Sequence, residues 1–435
     1  MGKGQDLYIQ AKKIIPGGVQ LLSKRPEQFL PGQWPAYYQK AKGCEVWDLD
    51  GNKYIDMSFM GIGACTLGYA DDDVNDAVHH AVTNGSMSTL NAPEEVALAQ
   101  LMLELHPWSE MARFARGGGD AMAVAVRIAR AATRKDVILF SGYHGWHDWY
   151  ISANLSDDAA LDGQLLPGLK PSGIARNLKG TSYPFFYNDK EEFLSLIEKY
   201  EHQIGGVVLE TIRNIEPEKD FFTTLERETT RLNVPLIVDE VSSGFRMNCG
   251  GAHLVIGLHP DMAVFAKGIS NGFPMGVVIG KARFMDAAQD SFISSTYWTE
   301  RIGPAAALAT IRKMMTCNVP AHLMNCGKQV QDAWNRLAQK HGLDIHVGSI
   351  YPLSHFEFKT NPLVCKTLFT QEMLYRGFLA TTSFYSSYAH QKEHIDAYIQ
   401  ATDEVFEWIA AALREGNPEK YLKGPVCQSG FKRLT

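Results

Sequence analysis

Short apolar runs alternating with amphipathic stretches fill the middle of the chain. "RFAR", "DVILF", "GGVVLE", "VPLIVDE", "MAVFAK" and "MGVVIG" follow one another from about residue 113, separated by glycine, proline and polar clusters. Runs this apolar on both faces mark strands buried on both sides, as in a mostly parallel sheet covered by helices. Between the first two, "GGGDAMAVAVRIARAA" carries Met122, Val124, Ala125, Ile128 and Ala129 at helical spacing. An α/β fold is the expected class.

The flanks are patterned differently. The first 45 or so residues read as an arm: a short helix broken at Pro16-Gly17-Gly18, then a stretch with prolines at 26, 31 and 35. "CEVWDLDGNKYIDM" sets Asp50-Gly51 between two alternating runs, a hairpin signal. Val96, Leu98, Leu101, Leu103 and Leu105 then mark a helix capped near Asn91, with Pro93 in its first turn. The final 125 or so residues return to longer helices around "LDIHVG" and "LSHFEF", a smaller α+β domain. The expected organisation is an arm and part of the small domain over residues 1–60, a large domain over 61–310, and the rest of the small domain over 311–435.

Composition narrows the function classes. The 435 residues are 45% hydrophobic and 21% charged with a net charge of −6, which gives no electrostatic footing for nucleic acid or an anionic membrane. Seven cysteines (Cys44, Cys65, Cys249, Cys317, Cys326, Cys365, Cys427) are scattered without a CxxC or Cys/His cluster, so no disulfide framework and no metal site is expected. No apolar signal region opens the chain, and no run reaches the ~18 apolar residues of a membrane span. A cytoplasmic protein with reduced thiols is the expectation.

Ligands of an open parallel sheet collect at the C-terminal ends of its strands, so the residues closing each apolar run are the candidates. After "RFAR", the N–H groups of Gly118 and Gly119 and the start of the following helix form a cup for a phosphate. The same glycines also suit a flexible turn with Asp120 as N-cap. The pattern is neither GxGxxG nor a Walker loop, which disfavours a dinucleotide or nucleoside triphosphate. After the next run, "FSGYHGWHDWY" offers Tyr143 to stack on a planar ligand and His144 to donate a hydrogen bond; packing is the alternative for such aromatic clusters.

Two charged residues close neighbouring runs. Asp239 ends "PLIVD", where a carboxylate needs a cationic or hydrogen-bonding partner, a helix cap and a salt bridge to Arg246 being the structural alternatives. Lys267 ends "MAVFAK" 28 positions later. A lysine at a desolvated strand end has a lowered pKa and becomes an imine-forming amine. Pyridoxal phosphate needs this set of four: a Schiff-base lysine, a carboxylate on the pyridine nitrogen, a ring stack and a phosphate cup.

At these residues the chain resembles the class III aminotransferases of the fold type I pyridoxal phosphate enzymes, especially their glutamate-1-semialdehyde aminomutase branch. "VDEVSSGFR" resembles the family's DEVxTGFR segment, "FAKGISNGFPMGVVIG" its lysine segment and "GYHGWHD" its cofactor-stacking loop. "VWDLDGNKYIDM", "STLNAPEEVALAQLM" and "GFLATTSFYSSYAH" fall in the same order, so the likeness covers nearly the whole chain. The resemblance implies a mostly parallel sheet in the large domain with a smaller α+β domain, and pyridoxal 5′-phosphate as cofactor. It assigns Lys267 to the Schiff base, Asp239 to the pyridinium nitrogen, and Val241 to the ring face opposite Tyr143. Gly118 and Gly119 match the phosphate loop. Thr296 matches a threonine that reaches the phosphate in the neighbouring subunit, with Thr299 as competitor through its spacing to Pro304. A homodimer with shared sites follows, acting on a small-molecule amino donor and a carbonyl acceptor.

The departures are as informative. Where the family reads Ser-Gly-Thr-Glu, this chain has Gly117-Gly118-Gly119-Asp120, so hydroxyls that would meet the phosphate are gone. The usual Glu-Pro-x-x-Gly-Asn is here "ETIRNIEP"; Glu210 still matches, and Asn214 stands one position early. "TTSFYSSYAH" is shorter than the aminomutase stretch and carries no acid, which favours two-substrate amino transfer over the mutase, epimerase or decarboxylase alternatives. A carboxylate donor such as glutamate wants an arginine fork. Arg25 lies near the position where the aminomutase branch places one, and Arg213 and Arg246 follow core strands. Trp34, Tyr37, Trp146, Trp149, Tyr297 and Trp298 load the expected mouth with aromatics, which fits a ring-bearing substrate or dimer packing.

Overall fold

In the computed structural model, which describes residues 2–164, 167–212 and 214–430, the elements divide into two compact units, Met1–Asp71 with Ala321–Thr435 and Asp72–Pro320. The described strands are, in chain order, β1 (Tyr38–Lys42), β2 (Glu45–Asp48), β3 (Lys53–Met57), β4 (Met111–Ala115), β5 (Val137–Ser141), β6 (Ser182–Pro184) and β7 (Ile204–Glu210). There follow β8 (Leu236–Asp239), β9 (Met262–Phe265), β10 (Gly276–Gly280), β11 (Ile345–Gly348), β12 (Leu353–Phe358), β13 (Phe378–Ala380) and β14 (Ser383–Tyr385).

The unit Asp72–Pro320 is built on a seven-stranded sheet in the order β4-β10-β9-β8-β7-β5-β6. The pairs β5/β6, β5/β7, β7/β8 and β8/β9 are parallel, and β10 runs antiparallel to both β9 and β4. Every residue of β5, β7, β8, β9 and β10 is buried, as their two-sided apolar character requires. The helix Gly118–Thr133 covers one face: Ala121, Met122, Ala125, Ile128 and Ala129 pack into one core with Ile138, Phe140, Val208, Ile237 and Val264. It stops at Arg134, whose left-handed backbone (φ 56°) breaks the helical run. Hydrophobic pattern did not reveal β6, a three-residue "SYP" edge strand that tolerates Pro184 because an edge can leave one N–H side unpaired.

This order sends the chain out of β4, β5, β7, β8 and β9 at one edge of the sheet. The glycine run, Tyr143, Glu210, Asp239 and Lys267 follow or close these strands.

The other unit has a sheet of order β1-β2-β3-β13 and another of order β11-β12-β14. The β2/β3 hairpin turns at Asp50-Gly51, where Asp48 Oδ1 accepts from the backbone N–H groups of Asp50 and Asn52 at 2.9 Å each and Gly51 takes φ +86°. Trp334, Phe356, Phe369 and Phe406 centre its core, with the helices Pro362–Tyr375 and Lys392–Arg414 contributing the last two. Among the described residues no helix is long and apolar enough to cross a membrane, and no group of three or more metal-capable side chains occurs.

Candidate active site

Asp239 closes β8 opposite Glu210 of β7 in the parallel register, with Val264 of β9 on its other side. It is only 3% exposed, so its carboxylate must be satisfied within the protein. Oδ1 accepts from the Val241 N–H at 2.9 Å, and Oδ2 lies 2.8 Å from Nδ1 of His144. The other ring nitrogen of His144, Nε2, lies 3.1 Å from the Ser141 carbonyl. Both nitrogens thus face oxygen atoms of the protein. Trp149 stacks beneath this imidazole, centroid to centroid 6.0 Å. Arg246, buried just beyond this turn, donates its Nε–H to the Ser242 carbonyl at 2.5 Å.

Lys267 stands just beyond β9, not at its last position. The strand ends at Phe265, and Lys267 opens a one-turn 3-10 helix, Lys267–Ser270. Its φ of +49° is uncommon for a residue with a Cβ, the kind of local strain that clusters at functional sites. Nζ donates to Ser242 Oγ at 2.8 Å.

Glycine brings the helix start against these residues. A Cβ on Gly118 would stand 2.8 Å from Val241 Cγ1 and 3.5 Å from the Ala266 Cβ, so only the bare backbone fits. Gly118→Val should therefore force Val241 aside and destabilise the protein by about 1–3 kcal/mol, read as a lowered Tm. Gly142 does the same service for the ring loop: it takes φ +111°, and a Cβ there would meet Glu210 Cβ at 2.5 Å. Tyr143 follows, half-buried and edge-on to Tyr150 with centroids 5.9 Å apart. The Gly142 N–H is tied to Gln164 Oε1 at 2.7 Å.

Behind Asp239 the chain is anchored by a buried acid. Glu240 Oε1 accepts from the backbone N–H (2.9 Å) and Nδ1–H (2.8 Å) of His253, and Oε2 from Ser243 Oγ–H at 2.6 Å. Trp108 Nε1–H donates to Nε2 of His253 at 3.0 Å, which fixes that tautomer. Burial pushes the Glu240 carboxyl up, but the bonds from His253 and Ser243 prevail and hold it below the ordinary carboxylate range. Its contribution to stability is therefore complete above the unfolded carboxyl's value of about 4.3 and is lost as pH falls through the depressed folded value. A Tm that drops on acidification, with a shallower acid limb in Glu240→Gln, is the expected result.

The remaining candidates are placed less centrally. Thr296 and Thr299 are both exposed at the two ends of one 3-10 turn, Thr299 Oγ1 donating to the Thr296 carbonyl at 2.8 Å. Asn214 is exposed in the loop beyond β7. Arg213 lies outside the described residues. Arg25 belongs to the other unit, where a Cβ on Gly17 would meet its Nη2 at 2.5 Å. Asp120 does not cap the helix; Gly117 is the N-cap residue, and Asp120 pairs with His147 Nε2 at 3.1 Å. Trp34 and Trp149 are buried packing groups, whereas Trp146 is 71% exposed.

Sequence reasoning missed Ser242 and Arg116. Arg116, immediately before the glycines, donates through Nε to Glu300 Oε1 at 2.6 Å and through Nη2 to the carbonyls of Trp298 (2.8 Å) and Glu300 (2.7 Å). It fastens the Thr296–Thr299 turn to the glycine loop. A charge closing the run "RFAR" was the available signal.

Comparison with known proteins identifies the family and the fold. The family model "Aminotransferase class-III" matches residues 31–406. The chain is 28% identical over 430 residues to a 3-aminobutyryl-CoA aminotransferase of Cloacimonas acidaminovorans, covering 96% of this chain and 97% of that one. It is 30% identical over 434 residues to a glutamate-1-semialdehyde 2,1-aminomutase of Francisella philomiragia, covering 93% and 98%. Among solved structures, the FumI protein of Sphingopyxis sp. MTA144, in its PLP internal aldimine form, shares the fold with a TM-score of 0.87 at 23% identity, over 97% of this chain and all of that one.

Proposed function

The chain belongs to the class III aminotransferase family, and from that premise we propose that it moves an amino group from an amino-acid donor, glutamate as first choice, to a ketone or aldehyde acceptor. The cofactor is pyridoxal 5′-phosphate. The observation that carries the reading is the Lys267 amine, held on Ser242 Oγ at 2.8 Å, one strand away from the buried Asp239 carboxylate. The fit to the cofactor rests on the bare backbone at Gly118, where a Cβ would run into Val241, and on a buried acid and an amine that close or follow neighbouring strands.

Bound there, pyridoxal phosphate supplies an electron sink conjugated to the donor's α-carbon. Asp239, which takes contacts from His144 and the Val241 N–H, would pair with the ring nitrogen. Val241 and Tyr143 would cover the ring. The N–H groups of Gly118 and Gly119, at the positive end of their helix, would hold the phosphate. Lys267 would hold the cofactor through its aldehyde group and, once released by the donor, its amine would be the base that moves the donor's α-proton. Ser242 Oγ aims that amine. Removing one such hydrogen bond is worth about 0.5–1.5 kcal/mol. Ser242→Ala should then lower kcat roughly two- to tenfold with KM little changed, and Ser242→Thr should keep the rate.

The same reading makes the enzyme a cytoplasmic homodimer, with Thr296, or Thr299 beside it, reaching the partner's phosphate; the exposure of both supports it. Glu210 and Asn214 would serve the ring's oxygen side, and Arg25 and Arg213 are the arginines we assign to a donor carboxylate. The alternative is an aminomutase, or an epimerase or decarboxylase, against which the acid-free "TTSFYSSYAH" speaks. Mixing the holoenzyme with glutamate alone tests the choice. Amino transfer bleaches the visible band to that of the pyridoxamine form and releases one equivalent of 2-oxoglutarate. Donor recovered racemised, isomerised or decarboxylated without net transfer would overturn it.

A further inference from the structure

The glycine run has lost the hydroxyls that the family pattern places beside the phosphate, and a neighbouring side chain stands where one of them would begin. A Cβ on Gly119 would lie 3.2 Å from Nδ1 and 3.3 Å from Cε1 of His147. His147 arrives from the loop after β5, so its imidazole edge and the helix start at Gly118 come from separate segments that meet only in the fold. The loop is pressed close here: a Cβ on Gly145 would come within 3.0 Å of the Gly119 Cα.

The two ring nitrogens of His147 are treated differently. Nε2 pairs with Asp120 Oδ1 at 3.1 Å. Nδ1 is buried and has no hydrogen-bond partner among the described residues. A buried polar atom left this way is rare in a native protein and calls for an explanation such as a ligand. With Nε2 committed to Asp120, Nδ1 can donate only from the doubly protonated ring, the form that an anion bound beside the positive end of the 16-residue helix would favour. That combination suits an anion. Trp146 packs on the imidazole with centroids 4.5 Å apart and restrains it.

We propose that His147 is a phosphate-binding residue, its Nδ1 supplying to the cofactor's phosphate the side-chain donor that Gly117-Gly118-Gly119 lacks. Asp120 is its positioning residue. The inference rests on the aminotransferase reading above, and it concerns only the phosphate end of the cofactor.

Comparing pyridoxal phosphate with pyridoxal, which lacks the phosphate, isolates that end. Cofactor-stripped protein is titrated with each, and the dissociation constant is read from the visible absorbance. His147→Ala should weaken pyridoxal phosphate by roughly tenfold to a hundredfold, the worth of one charge-assisted hydrogen bond, while pyridoxal changes less than about twofold. Adding Gly119→Ser in the His147→Ala background restores a hydroxyl where the imidazole stood and should recover much of the loss. Equal weakening of both ligands would show that His147 only shapes the pocket, and an unchanged constant for pyridoxal phosphate would remove it from the site; either overturns the inference alone. Wild-type protein that develops no visible band, or holds pyridoxal as tightly as pyridoxal phosphate, overturns the phosphate site and the inference with it.

Discussion

Lys267→Ala, reconstituted with pyridoxal phosphate, is expected to stay colourless in the visible and to transfer no amino group at a measurable rate. Two losses coincide at one atom. Without Nζ the cofactor's aldehyde has no internal amine, and the proton of the donor's α-carbon has no base to receive it. General acid–base work alone is worth about 10²–10⁴-fold, and covalent activation adds to it. The fold should survive the change, because Lys267 is only partly buried and its partner Ser242 Oγ can rotate to another acceptor. Alanine keeps the Cβ and therefore the same left-handed strain at φ +49°. Far-UV circular dichroism unchanged from the wild type, together with a lost absorbance band, is the expected pair of readings. A variant that retains the band and a rate within tenfold of the wild type would place the reactive amine elsewhere.

Asp239→Asn should produce the second largest loss, in kcat and not in cofactor retention. The carboxylate is buried against His144, and its neutral isostere keeps the shape while removing the charge that holds a proton on the ring nitrogen. Breaking a buried charge pair from one side typically costs about 3–5 kcal/mol. Expressed in the step that depends on the protonated ring, this is a fall in kcat of about 10²–10⁴-fold. Lys267 and the glycine cup still hold the cofactor, so its visible band should persist with an altered position. A rate within about fivefold of wild type would show that Asp239 is a structural acid serving only His144.

What the sequence made readable follows from physics that is local in the chain. Strands buried on both faces announce themselves by composition, and so β5, β7, β8, β9 and β10 were visible, together with the residues that follow or close them. Edge strands bury little: β1, "YQKAK", is almost wholly exposed and β6 contains a proline, and neither carries an apolar signal. Lys267 and Asp239 stood out because a charge after an apolar run needs a reason. Their partners could not be read the same way. Ser242 is three residues past the end of β8, yet 25 positions separate it from Lys267, and Arg116 and Glu300 lie 184 apart. Such contacts join loops that leave different strands, and only strand order decides which loops meet. Asp120 illustrates the point from the other side: an acid in a helix's first turn reads as a cap, but His147, arriving from the loop after β5, takes its carboxylate instead.

Borohydride reduction of the holoprotein, followed by peptide mass mapping, tests the central claim most directly, because it fixes the cofactor to whichever amine carries it. The expected result is a single pyridoxyl phosphate adduct on Lys267, within "MAVFAKGISNG". An adduct on any other lysine, or coloured protein that yields none, would contradict it.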